Sequence, residues 1–363
     1  MKFVLIAAAF LLATPAGVRI EAVATKAGAP LPMHVVGRTS QGMRQWPGTY
    51  YETAFRGAGA LFRVGPGEVS LRIRIDGGAP LALVKPAPGL YRVAGLGAGA
   101  HRLRIDVASE SQAGPTGFGG FFALPGTRPR PPAARATQIE FIGDSHSVGY
   151  GNTSSKRECT EDEVWATTDT SQGIAPLTAA RYGADYQVNA ISGRGIVRNY
   201  GGFLADTLPQ AYPYALLDHK IPYRDPAWKP RIIVIALGTN DFTTPLHGGE
   251  KWKSRDALHA DFEASYAAFL KRLRAANPEA HFILWATDMA DGEIAAEVRK
   301  VVERVRASGE RRIGFVPVRG LALTGCNYHP NLADDRAIAA ALGAYIDSNA
   351  EIRRGLPRPR SRD

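Results

Sequence analysis

The sequence predicts a small β-sandwich, jelly-roll-like in character, followed by an α/β domain built on a parallel sheet covered by helices on both faces. Two patterns and a break between them predict it. Up to about residue 125 apolar and polar residues alternate in short runs, as in Leu71-Arg72-Ile73-Arg74-Ile75-Asp76 and Arg102-Leu103-Arg104-Ile105-Asp106-Val107. Beyond residue 138, short apolar runs alternate with stretches long enough for helices. Between the two lies Gly126–Thr137, GTRPRPPAARAT, a Pro- and Arg-rich segment of the composition that links domains.

In chain order, Gly65-Pro66-Gly67 and Gly77-Gly78 punctuate the first alternating run, and the Gly95–Gly99 region precedes the second, which places a β-domain over residues 30–125 and a linker over 126–137. Apolar runs at Gln138–Ile142, Tyr186–Ala190, Ile232–Leu237, Phe282–Ala286 and Ile313–Val316 then read as five buried strands of a domain over 138–350. Helical spacing puts Phe262, Tyr266, Phe269, Leu270 and Leu273 on one face of a helix over Ala257–Ala276, stopped by Asn277-Pro278. Glu293–Ala307 and Ala333–Ile346 carry similar patterns, and the Pro- and Arg-rich residues 351–363 read as a disordered tail.

The chain has 363 residues, 45% of them hydrophobic, and a formal charge of +10. Arg128, Arg130 and Arg135 in the linker and Arg353, Arg354, Arg358, Arg360 and Arg362 near the end hold much of that surplus, without the aromatic-interleaved groove of a nucleic-acid binder. After Lys2, an apolar run from Phe3 to Ala13 has the length of a signal-peptide core and is too short to span a bilayer. A leader over residues 1–24 is expected, cut at Ala22-Val23-Ala24 or earlier near Ala16, with a secreted or periplasmic product and no membrane span. Cys159 and Cys326 are the two cysteines, either a disulfide, as export favours, or two free thiols.

Four segments at strand ends bear chemistry. Phe141-Ile142-Gly143-Asp144-Ser145-His146-Ser147 can expose a serine hydroxyl as the chain leaves the first strand, although Gly-Asp-Ser alone serves equally as a helix cap. In Asn189-Ala190-Ile191-Ser192-Gly193-Arg194-Gly195 a glycine lets the backbone aim an N–H at a reacting carbonyl. Ala236-Leu237-Gly238-Thr239-Asn240-Asp241 offers a side-chain amide donor, with Asp241 as a brace. Gly325-Cys326-Asn327-Tyr328-His329-Pro330 offers an imidazole base ahead of the last helix.

In this order the segments resemble the four blocks of the SGNH/GDSL hydrolase superfamily over roughly Ile139 to Ala350. The resemblance implies a flavodoxin-like three-layer fold, with Ser145 as nucleophile and His329 as base. The Ser145 and Gly193 N–H groups and the Asn240 amide would form the oxyanion hole. Members usually carry an aspartate three residues before the histidine, where this chain has Cys326. That departure, with Trp46-Pro47-Gly48-Thr49, Phe55 and Asn327-Tyr328-His329-Pro330, makes the chain most similar to carbohydrate esterase family 2. There a sandwich precedes the hydrolase domain, and some members run on a Ser–His dyad whose histidine is held by a backbone carbonyl. The implied activity is removal of acetyl groups from carbohydrate, with Tyr328 as a sugar-stacking ring and Arg194 as a further substrate contact. A Cys159–Cys326 bond would stiffen the histidine loop.

No cofactor, metal, nucleic acid or obligate protein partner is expected, and the partner is the acetylated carbohydrate itself. His34, His101, His146, His219, His247, His259 and His281 form no metal-ligand spacing. His146 reads as a first-turn helix residue, His247 as a surface-loop residue, and Trp165 and Trp228 as packing. The rival readings are a short-chain esterase or lipase of the same superfamily, an O-acetyltransferase, and a non-catalytic carbohydrate-binding protein.

Overall fold

In the computed structural model, residues 17–133 and 135–357 are described. Among them the N-terminal half is a two-sheet antiparallel sandwich. One sheet runs in the order Arg19–Val23, Gly89–Ala94, Ala60–Val64, Thr116–Ala123, Met43–Arg44, Thr39–Ser40. The other runs Arg128–Arg130, Tyr50–Arg56, Ala100–Val107, Ser70–Ile75, Leu81–Val84, with His34–Val36 also on Tyr50–Arg56. Alternation sends Leu71, Ile73 and Ile75 inward with Leu103, Ile105 and Val107, onto Phe62, Tyr91 and Phe121 of the facing sheet.

Three sequence boundaries shift. Arg19–Val23, inside the expected 1–24 leader, is an edge strand in register with Gly89–Ala94, so the sandwich starts ahead of residue 30; residues 1–16 lie outside the described residues. Arg128–Arg130, expected in the linker, pairs with Arg56, Phe55 and Ala54 at a sheet edge, where a proline costs no ladder bond. Residues 351–357, expected in a disordered tail, begin within the helical turn Ala350–Arg353, capped by Asn349 and anchored by buried Ile352; residues 358–363 lie outside the described residues.

The second half is the expected three-layer domain. Its five strands, Gln138–Gly143, Asp185–Ala190, Ile232–Ala236, His281–Thr287 and Ile313–Val318, are all parallel and lie in the order 2-1-3-4-5. Ile232–Ala236 and most of His281–Thr287 are continuous apolar runs because both faces are covered, whereas Gln138–Gly143 and Asp185–Ala190 interleave the buried polar residues Glu140, Asp185, Gln187 and Asn189. Helices Arg255–Ala276 and Glu293–Ala307 bury Phe262, Tyr266, Phe269, Val298 and Val301 on one face. Ile174–Arg181 and Leu332–Ser348 bury Ile174, Ile338, Leu342 and Ile346 on the other.

The two halves share their cores. Trp46, 1% exposed, belongs to the core of the parallel domain and donates its indole N–H to the Tyr214 carbonyl at 3.1 Å. Arg38 enters from the sandwich, pairs with buried Glu140 and lies against the rings of Trp46, Tyr212 and Tyr223. Linker Arg135 reaches Glu52 of the sandwich at 2.8 Å and Asp185 of the parallel sheet at 2.6 Å. Such buried pairs fix geometry more than they add stability. They hold one domain in a set position over the other.

Candidate active site

At the end of the first parallel strand, Asp144 caps a helix of a single turn, Ser145–Val148, by accepting from the His146 N–H at 3.1 Å. Gly149 closes the turn in the left-handed region at φ 76°. With so short a helix, the potential at Ser145 comes from local amides rather than from a long helix dipole. The Ser145 and Gly193 N–H groups have no acceptor among the described residues.

The fourth segment reaches the first. His329 Nε2 lies 2.8 Å from Ser145 Oγ. Its Nδ1 faces the carbonyls of Cys326 at 2.9 Å and Asn327 at 3.0 Å. Two acceptors on Nδ1 assign the proton to that nitrogen, so Nε2 is the lone-pair nitrogen and accepts from the serine hydroxyl. Burial pushes the His329 pKa below the ordinary imidazole value, against the two carbonyls that favour its protonation. Tyr150 packs on the ring, centroids 4.3 Å apart.

Cys326 and Cys159 are joined by a disulfide, Cα atoms 5.4 Å apart. The loop around Cys159 grips the histidine loop further: Arg157 donates to the carbonyls of Leu323 at 3.0 Å and Ala322 at 2.8 Å, and its own carbonyl accepts from Asn327 N–H. Asn327 and Tyr328 both sit at positive φ, 51° and 61°, a costly conformation that these clasps over-determine. Tyr328 is 57% exposed, with the Arg157 guanidinium over its ring.

On the other flank, Gly193 is at φ 82°, and Phe203 would meet a Cβ there at 3.3 Å. Asn240 Nδ2 donates to the Arg194 carbonyl at 2.9 Å and, more loosely, to Asp144 Oδ2 at 3.3 Å. Asp241 is fully buried and accepts from the N–H groups of Ile196 at 3.0 Å and of Val197 and Arg198 at 2.9 Å, bracing the glycine loop from below. Burial raises Asp144 to about 7 and Asp241 to about 6. Arg194 donates to the Asp206 carbonyl at 2.9 Å and lies over Phe203. Ser145, His329, Gly193 and Asn240 thus come from four loops at the carboxyl ends of the strands, where open α/β sheets bind ligands.

His146 is buried against Trp285, and burial with His329 beside it lowers its pKa to about 3, so it stays neutral. His247 is exposed in a surface loop and contacts the Gly201 carbonyl at 3.2 Å. Trp228 packs beside the core and donates to Glu140. Sequence reasoning missed Arg157 and the sandwich residues Glu110 and Gln112, which reach the glycine loop at Ser192. Nothing local marks them, because the site residues they reach lie 80 or more residues away.

This geometry has close relatives. Residues 35–132 match the Carbohydrate esterase 2 N-terminal family, and residues 141–342 match the GDSL-like Lipase/Acylhydrolase family. An acetylxylan esterase / glucomannan deacetylase of Cellvibrio japonicus (strain Ueda107) is 41% identical over 89% of this chain and 92% of its own length. The chain belongs to carbohydrate esterase family 2. The structure of a carbohydrate esterase with divergent catalytic and non-catalytic binding functions superposes with a TM-score of 0.84 at 40% identity, over 89% of this chain and 99% of that one. A family two carbohydrate esterase from Clostridium thermocellum, in complex with cellohexaose, gives 0.76 at 27% identity, over 87% and 98%. This family 2 chain is therefore a carboxylic ester hydrolase acting on carbohydrate.

Proposed function

We propose that the chain is an exported serine esterase that removes O-acetyl groups from a polysaccharide through an acetyl-Ser145 intermediate, using a Ser145–His329 dyad. The observation that carries it is the 2.8 Å contact between Ser145 Oγ and His329 Nε2, with Nδ1 committed to two carbonyls. As Oγ bonds to the acetyl carbon, its proton passes to Nε2. The tetrahedral oxyanion takes the N–H groups of Ser145 and Gly193 and an Asn240 amide hydrogen, which exchanges its 3.3 Å contact with Asp144 for the new acceptor. Collapse breaks the bond to the sugar oxygen, which leaves with the proton from His329. Water then repeats the sequence and releases acetate.

Acetylated xylan and glucomannan are the first substrates to try, given what the Cellvibrio relative is named for. The exposed Tyr328 ring beside His329 suits a sugar face, and Arg194 flanks the opposite side of the site. For export, the apolar run at residues 3–13 supplies the signal, the disulfide fits an oxidising compartment, and the strand at Arg19–Val23 favours cleavage near Ala16 over Ala24. The deciding experiment measures acetate released from both polymers, and p-nitrophenyl acetate to octanoate turnover, by wild type and Ser145→Ala. Acetate preference and loss in the variant are expected. Activity that survives in Ser145→Ala, or rises with chain length, would end the proposal.

A further inference from the structure

The loop 108–112 of the sandwich meets the oxyanion glycine at one peptide. Gln112 Nε2 donates to the Ser192 carbonyl at 3.2 Å and to Glu110 Oε1 at 3.1 Å, and the same Glu110 oxygen accepts the Ser192 N–H at 2.8 Å. The Ser192 carbonyl and the Gly193 N–H belong to one planar trans peptide and point in opposite directions. Fixing the oxygen therefore aims the N–H. Sterics alone do not choose this orientation, because a glycine at position 193 accepts either sign of φ and lets the peptide turn over. On the far side of Gly193 its own carbonyl is held by the Tyr200 N–H at 2.9 Å, so Gly193 is pinned from both sides.

The clamp is itself anchored. Arg44 donates to Ser111 Oγ at 2.9 Å, Gln45 donates to the Gln112 carbonyl at 3.2 Å, and the Ala108 carbonyl accepts from the Thr170 N–H at 3.0 Å. Burial raises the Glu110 carboxyl, opposed by its bonds from Ser192 and Gln112.

We propose that Gln112, held by Glu110, is a positioning residue: from the sandwich domain it sets the Ser192–Gly193 peptide so that the Gly193 N–H faces the developing oxyanion. The inference rests on the esterase reading of the site. Gln112 is exposed and fills no core, so Gln112→Met removes the donor at similar size. Removing an oxyanion donor outright costs about 100- to 1000-fold in kcat, and loss of its aim is expected to cost about 10- to 100-fold with KM within about twofold. A second measurement, independent of how much protein is folded, is the Ki of an aryl trifluoromethyl ketone. Ser145 Oγ adds to its carbonyl carbon, the hydroxyl proton moves to His329 Nε2, and the carbonyl oxygen becomes an oxyanion in the hole. That Ki should rise at least about tenfold in Gln112→Met, while the Kd of the deacetylated oligosaccharide stays put. Unchanged kcat and unchanged ketone Ki, with Ser145→Ala inactive, would overturn the clamp alone. Failure of wild type to release acetate, or an active Ser145→Ala, would overturn the esterase reading beneath it.

Discussion

Replacing both Cys159 and Cys326 by serine separates what the disulfide does for the fold from what it does for the base. The bridge closes a loop of 167 residues. In the chain-entropy picture that removes about 5 kcal/mol of freedom from the unfolded chain, an upper value because residual unfolded structure lowers it. Locally the histidine loop keeps Arg157 on the Ala322 and Leu323 carbonyls, and Asp334 on the N–H groups of the same two residues. The variant should therefore still fold. What it loses is the fixed place of the Cys326 carbonyl, one of two acceptors that aim the imidazole. With the Asn327 carbonyl still in reach, kcat should fall about tenfold, equivalent to about 1.4 kcal/mol. Denaturant melts give the first quantity and saturating p-nitrophenyl acetate kinetics the second. A kcat within twofold of wild type would refute the idea that the bridge, by stiffening the histidine loop, helps to hold His329 in place, whatever happened to stability.

Three further outcomes are expected. The acid limb of kcat/KM should fall below pH 6.5: burial lowers the His329 pKa, so the neutral, proton-accepting form survives to lower pH, and a limb at pH 7 or higher would contradict this. Tyr328→Ala should raise KM for acetylated polysaccharide about 3- to 10-fold, the worth of one sugar-stacking ring, and leave p-nitrophenyl acetate kinetics nearly unchanged; equal losses on both substrates would place the ring in the chemistry instead. Trp46→Ala should destabilise the whole chain by about 3–5 kcal/mol in a single transition, and a two-step melt with an intact hydrolase transition would show that the halves fold separately.

The parallel domain was largely legible because its central strands, Ile232–Ala236 and His281–Thr287, are apolar runs and its helices carry their period in the sequence. Glu293–Ala307 is found where the pattern placed it, and Arg255–Ala276 starts two residues earlier, at the Ser254 cap. Ser145, Gly193, Asn240 and His329, the residues proposed for the chemistry, stand out only as a set: each strand-end segment alone reads equally as a cap or a turn, and it is their order that resembles one superfamily. The N-terminal boundary is ambiguous in sequence because one pattern satisfies two rules: Ala22-Val23-Ala24 suits a cleavage site, and Ile20, Ala22 and their neighbours also make an edge strand. Ile352 and Leu356 are isolated apolar residues in a polar tail, yet Ile352 is buried and Leu356 packs against the same core. Gln112, Glu110 and Arg157 were invisible because an exposed or polar residue declares nothing until the fold brings its partner from across the chain.

The interlocking of Arg38 and Trp46 with Glu140, Tyr212 and Tyr214 also bears on inheritance and engineering. A recombination point in the Pro-rich stretch near residue 130 would look harmless in sequence but would separate a guanidinium from its buried carboxylate and open a tryptophan-sized hole. Chimeras that keep this catalytic half must carry its own sandwich, or rebuild that seam residue by residue.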